Sequence, residues 1–190
     1  MDSRNPIQGR ISNRLALVQH QLASSHPSST ATSHCPVAHP QPPSTMSRDP
    51  ITCHCLNTLT GTPAANLPVT LTLLTASDSS ARTASPLTFH ASTNADGRVA
   101  KWTPTEATAS TASSVAEVLA ALPAADSKSN WAVRFEVGPW YEAQGVESFW
   151  PEVEVKFTVK GRGREGEEGW RHYHVPVLLG PWNYSTYRGS

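Results

Sequence analysis

From Ile51 onward, apolar and polar residues alternate with period two more often than with the 3.6 period of a helix, which marks strands with one buried face. Ile51, Cys53 and Cys55 alternate with Thr52, His54 and Leu56, after which Gly61, Pro63, Asn66 and Pro68 mark a turn region. A second strand is expected over 69–75, where Val69, Leu71 and Leu73 share a face. Further strands are expected at 87–92, 98–103, 131–137, 153–160 and 172–179, and a last one at 184–187 follows the turn Gly180-Pro181-Trp182-Asn183. Residues 139–146 read as one short helix, with Pro139 at a position where a missing N–H costs nothing. The Ala/Ser/Thr-rich stretch 104–130 carries Val115, Val118, Leu119 and Leu122 at helical spacing. It reads as a low-complexity insertion, a surface excursion with at most one marginal helix and no catalytic part. Short strands with regular turn punctuation predict an all-β chain folded as an antiparallel sandwich.

The aromatic residues divide the chain. All fourteen lie between Phe89 and Tyr187, whereas residues 1–50 hold nine Ser, three Thr and seven Pro. Such a segment has little apolar surface with which to offset the entropy of ordering, so residues 1–48 read as disordered and 49–190 as the folded domain. Within the first part, 14–22 is the one stretch of helix-forming composition without proline, and Leu15, Val18 and Leu22 fall on one helical face. Arg14-Leu15, five residues and Gln21-Leu22 resemble the type 2 peroxisomal targeting signal, so an import receptor is the expected partner there and the peroxisome the expected location. A mitochondrial transit peptide is the lesser alternative, since residues 1–45 contain Arg4, Arg10 and Arg14 but only Asp2 as an acid. Met46 could start a cytoplasmic form without the address.

Charge and cysteine content narrow the functional classes. Fifteen basic and fifteen acidic residues give a net charge of +0 and a pI near 7.1, without the basic surplus of a nucleic-acid binder. No apolar run approaches the roughly 18 to 20 residues of a membrane helix. Cys35, Cys53 and Cys55 do not form a disulfide framework. Cys53 and Cys55 lie two apart, on the strand face opposite His54, which is not the knuckle spacing of a zinc site; they read as small core residues.

Five features carry chemistry: His54; Asn94-Ala95-Asp96-Gly97-Arg98; His172-Tyr173-His174; the cysteine pair; and the final Tyr187-Arg188-Gly189-Ser190. Asp-Gly before Arg98 is by itself an ordinary hairpin turn. Histidines at 172 and 174 share one strand face, with Tyr173 on the other. His172 reads as a solvated strand-edge residue and His90 as an ordinary strand residue. Taken in order, Ile51-Thr52-Cys53-His54-Cys55-Leu56-Asn57-Thr58, the segment Thr93 to Arg98, Phe149-Trp150-Pro151-Glu152-Val153, His172 to Pro176 and the closing tetrapeptide resemble the 5-hydroxyisourate hydrolases of the transthyretin-like family. The resemblance covers 50–190 apart from 104–130.

It implies a transthyretin-like sandwich of two four-stranded sheets with one short helix. It also implies a homotetramer with sites at a dimer–dimer interface, no metal and no cofactor. The implied activity is hydrolysis of 5-hydroxyisourate to 2-oxo-4-hydroxy-4-carboxy-5-ureidoimidazoline in urate degradation, a step of purine metabolism. His54, Arg98 and His174 would be catalytic, and His54 and Arg98 would also contact substrate together with Tyr187, Arg188 and Ser190. Either His54 or His174 suits a general base near neutrality, and Arg98 suits a planar, carbonyl-rich substrate. A carboxylate at Ser190 beside the site would make an N-terminal address more compatible than a C-terminal one. The alternative on the same fold is a small-molecule carrier without catalysis.

Overall fold

The computed structural model describes residues 48–76 and 86–189, so the expectations for residues 1–47, including Arg14, Leu15, Gln21, Leu22 and Met46, and for Ser190 lie outside the described residues. The strands are β1 (Ile51–Asn57), β2 (Thr62–Pro63), β3 (Pro68–Ala76), β4 (Thr88–Ser92), β5 (Arg98–Val99), β6 (Thr103–Pro104), β7 (Lys128–Phe135), β8 (Val153–Lys160), β9 (Tyr173–Leu179) and β10 (Tyr184–Thr186). They form two sheets. One runs β10-β9-β1-β2, with β5 also paired to β1; the other runs β6-β4-β3-β7-β8. Each sheet therefore has five strands rather than four, because the two-residue segments β2, β5 and β6 join the ladders. The strand expected over 98–103 is two separate pieces, β5 and β6.

Period two puts the alternating apolar residues inside. Ile51, Cys53 and Cys55 of β1 and Val175, Val177 and Leu179 of β9 face Val69, Leu71, Phe89, Trp131, Val133 and Phe135 of the other sheet, all within one buried cluster. Burial drives the Cys53 thiol up to about 12 and the Cys55 thiol higher still, so both remain protonated and inert.

The first sheet departs from the expected antiparallel order at its centre. β1 and β9 pair in parallel over their full length, from Ile51 opposite Tyr173 to Asn57 opposite Leu179. A parallel pair needs a long crossover, and here nearly the whole domain supplies it. Alternation along a strand reports its buried face but not the direction of its neighbour.

Three short helices are present among the described residues, where one was expected with at most a marginal second: α1 (Glu106–Ala109), α2 (Val115–Ala120) and α3 (Val137–Glu142). The α3 helix begins two residues before Pro139. Two helices lie within 104–130, which is no surface excursion, because Val115, Val118, Leu119 and Leu122 are buried in the main core. Ser114 caps α2 by accepting from the Glu117 N–H, and the Glu117 carboxylate reaches back to the Ser113 N–H and hydroxyl. The segment after β8 docks on this module. Arg162 donates to the Pro123 carbonyl at 2.7 Å, the Gly163 N–H to Leu119, and the Gly161 N–H to Ser127.

One turn fixes the edge of the first sheet. Asn94 Oδ1 accepts from the backbone N–H of Asp96 and of Arg98, and Gly97, at φ 71°, donates to the Asn94 carbonyl. The Gly97 carbonyl accepts from the Cys55 N–H at 2.8 Å, and a Cβ at Gly97 would collide with the Cys55 carbonyl oxygen. Positive φ and close approach both demand glycine here. Gly97→Ala is expected to destabilise the fold by about 1–3 kcal/mol, measured as a lowered urea midpoint; an unchanged midpoint would refute this account of the turn.

Candidate active site

The turn at 94–97 delivers Arg98 to β5, where it stands directly opposite His54 of β1. His54 and Thr52 share the face of β1 turned away from the core, since Cys53 and Cys55 occupy the other. In the parallel ladder Thr52 is level with His174 and His54 with Pro176. The rings of His54 and His174 consequently lie 6.5 Å apart between centroids. Two adjacent strands and one cross-strand neighbour thus place two imidazoles and a guanidinium on one outer face of the first sheet.

The Thr52 hydroxyl, nearly buried at 6% exposure, lies 3.0 Å from His172 Nε2 and 2.8 Å from His174 Nδ1. His172 stacks on His174 at 6.2 Å, and Trp170 stacks on His172 at 6.5 Å. His172 is therefore half-buried and bonded, and the expectation of a solvated edge residue is corrected. It lies just before β9, but the segment after β8 folds Trp170 over it. Tyr173 points the other way, as alternation requires, and its hydroxyl bonds both the N–H and the carbonyl of Lys160. His90 is exposed on β4, in the second sheet.

Burial first, and then the local charges, favour the neutral imidazoles. Burial, then the Arg98 guanidinium, hold His54 below the ordinary histidine value, opposed by the Asp96 backbone and carboxylate. Burial likewise lowers His174, reinforced by Arg98, His172, His54 and Arg48. His172 is lowered by burial and by Arg48, with Glu165 pulling upward. A cationic neighbour and partial desolvation both disfavour a second positive charge. The arrangement is a pair of neutral bases beside a fixed cation, suited to deprotonating water and stabilising the resulting oxyanion.

Tyr187 and Arg188 adjoin this cluster only at His174. They are exposed, and together with Tyr173, His174, Phe157 and Arg171 they line a cavity of about 490 Å³ that neither His54 nor Arg98 reaches. Arg188 lies 5.6 Å over the Tyr173 ring, and the Gly189 N–H donates to the His174 carbonyl at 3.0 Å. The chain end is therefore tied to the strand of His174. Thr52 and Trp170 are site features that the sequence reading did not single out, and His172 is one whose bonded setting it did not foresee. Thr52 was findable, because it lies two residues before His54 and must share its face. Among the described residues, no cluster of three or more His, Cys, Asp or Glu could hold a metal ion.

Residues 51–189 match the family model described as "HIUase/Transthyretin family". The chain belongs to the HIUase/transthyretin family. Within it, a probable 5-hydroxyisourate hydrolase of Schizosaccharomyces pombe is 34% identical over 141 residues, covering 74% of this chain and 90% of that protein. The mouse 5-hydroxyisourate hydrolase is 43% identical over 56 residues, 30% of this chain and 42% of that one. In structure the chain is similar to transthyretin from Sparus aurata, with a TM-score of 0.51 at 22% identity over 75% of this chain and 97% of that one; this supports the fold alone. The two-sheet sandwich described above carries His54, Arg98 and His174 of this chain on the outer face of its first sheet.

Proposed function

We propose that this family member hydrolyses 5-hydroxyisourate to 2-oxo-4-hydroxy-4-carboxy-5-ureidoimidazoline, a step in urate degradation. The observation that carries the reading is the cross-strand pairing of His54 with Arg98 beside His174. One imidazole takes a proton from water as its oxygen forms a bond to the ring carbonyl carbon. Arg98 stabilises the negative oxygen so produced, the C–N bond breaks, and the proton passes to the leaving nitrogen. Tyr187, Arg188 and Ser190 would complete the substrate contacts. The test is to generate 5-hydroxyisourate with urate oxidase and follow its ultraviolet decay. Faster decay with this protein is expected, whereas no acceleration together with saturable binding of a small molecule would favour a carrier.

The pH dependence follows from the lowered histidines. The competent form is neutral imidazole, so kcat/KM should be flat above about pH 6.5, the ordinary histidine value, and should fall only at lower pH. A rate that instead declined through pH 7 to 8 would require a protonated histidine and overturn the base assignment.

The reading extends to a homotetramer, in which a second copy would close over the outer face bearing His54 and His174. Sedimentation of the 20.5 kDa chain tests this by mass. It extends also to peroxisomal import through Arg14, Leu15, Gln21 and Leu22, with a cytoplasmic form starting at Met46. Fluorescent fusions with and without residues 1–45 would separate the two locations.

A further inference from the structure

We infer that His172, acting through the Thr52 hydroxyl, is a positioning residue that sets which nitrogen of His174 carries the proton. The inference deepens the hydrolase reading and rests on it. Thr52 has one hydroxyl proton and two imidazole nitrogens within bonding distance, His172 Nε2 at 3.0 Å and His174 Nδ1 at 2.8 Å. It can therefore donate to one ring while accepting from the other.

Two arrangements satisfy this. In the first, His174 Nδ1–H donates to Thr52 and Thr52 donates to an unprotonated His172 Nε2. His174 Nε2 is then a bare lone pair, ready to take a proton from water. In the second, His172 Nε2–H donates to Thr52 and Thr52 donates to His174 Nδ1, so the His174 proton sits on Nε2 and the base is blocked. The hydrogen bond made by one imidazole nitrogen decides the state of the other.

The surroundings of His174 suit the first arrangement. Arg98 acts on it as a nearby cation, which disfavours a further positive charge on the ring. His174 Nε2 has no hydrogen-bond partner among the described residues. The rings of Trp170, His172 and His174 lie near-parallel in series, with centroids 6.5 and 6.2 Å apart, and Gly189 packs beside the Cδ2 edge of His174, where an added Cβ would come within 2.6 Å.

Protonation of His172 places hydrogens on both its nitrogens and enforces the second arrangement. His174 thus loses its function either by taking a proton itself or when His172 takes one. The groups acting on the pair are Arg48, Arg98 and His54 on the cationic side and Glu165 on the anionic side, with Arg171 and Arg188 lining the cavity beside His174. Coupled sites of this kind titrate as a pair.

The test has an arm that does not depend on activity. Imidazole 15N spectra of the full, substrate-free protein at pH 8 should show His174 with its proton on Nδ1, and Thr52→Val should move it toward Nε2. In the rate assay, Thr52→Val and His172→Leu should each lower kcat about tenfold, the loss of one hydrogen bond's bias, with KM little changed, as expected of residues that act through His174. His172→Gln can still accept from Thr52 but cannot ionise. It should retain more activity than His172→Leu, and its acid limb should fall with a slope of one where the wild type falls more steeply. A proton on His174 Nε2 in the wild type, or the same acid slope in His172→Gln as in the wild type, would overturn the inference even if Thr52→Val failed to fold. No turnover by the wild type, with His174 in the Nδ1–H form, would instead count against the hydrolase reading alone.

Discussion

Arg98→Ala is expected to lower kcat/KM on 5-hydroxyisourate by about 10²- to 10³-fold, the usual cost of removing one oxyanion donor. Arg98 is exposed, and the turn that delivers it is built from backbone bonds to Asn94 that alanine retains. The variant should therefore fold, and circular dichroism beside the decay assay separates lost chemistry from lost structure. Arg98→Lys should recover only part of the rate, because an ammonium keeps the charge but not the planar fork. The loss should fall mainly on kcat, since the oxyanion exists only near the transition state. Normal turnover by Arg98→Ala would remove this residue from the mechanism.

His174→Gln is expected to lower kcat by about 10²- to 10⁴-fold, the range for loss of a general base. His54→Gln tests the other candidate, and the double variant tests whether the two act together. Groups that work as a unit are strongly non-additive, so the double variant should be little worse than the more damaged single one. The rings are 6.5 Å apart and share the Arg98 charge, which is the geometry of such a unit. Multiplicative losses would mean separate roles, and a near-normal His174→Gln would move the base to His54.

Much of this site was legible along the chain. Alternation alone put His54 on the face opposite Cys53 and Cys55, and His172 with His174 opposite Tyr173, and the strands obey both. The Asp-Gly turn before Arg98 was equally plain. What alternation could not supply was the partner of each strand. Thr52 binds both histidines only because β9 lies parallel to β1 in a register that levels Thr52 with His174. Trp170 reaches His172 through a segment pinned to the α2 region by Arg162 and Gly163, contacts set by tertiary packing rather than by any local period. The 104–130 stretch misled for a related reason. Its four apolar residues were seen, but its Ala/Ser/Thr background hid that they complete the main core.

The parallel pairing of β1 with β9 also has a kinetic meaning. Even the central pairing of the second sheet, β3 with β7 from Val69 opposite Phe135 to Ala76 opposite Ser129, is closer in sequence than the Thr52 contacts to His172 and His174, which span 120 and 122 residues. Contacts so distant in sequence bear the full entropy of loop closure before they give anything back, and they set the pace of folding. A chain with its second sheet already formed would still have no site, because its first and ninth strands would not yet have met. Recovery of activity during refolding therefore reports the pairing of β1 with β9, later than any signal from Trp131 in the second sheet.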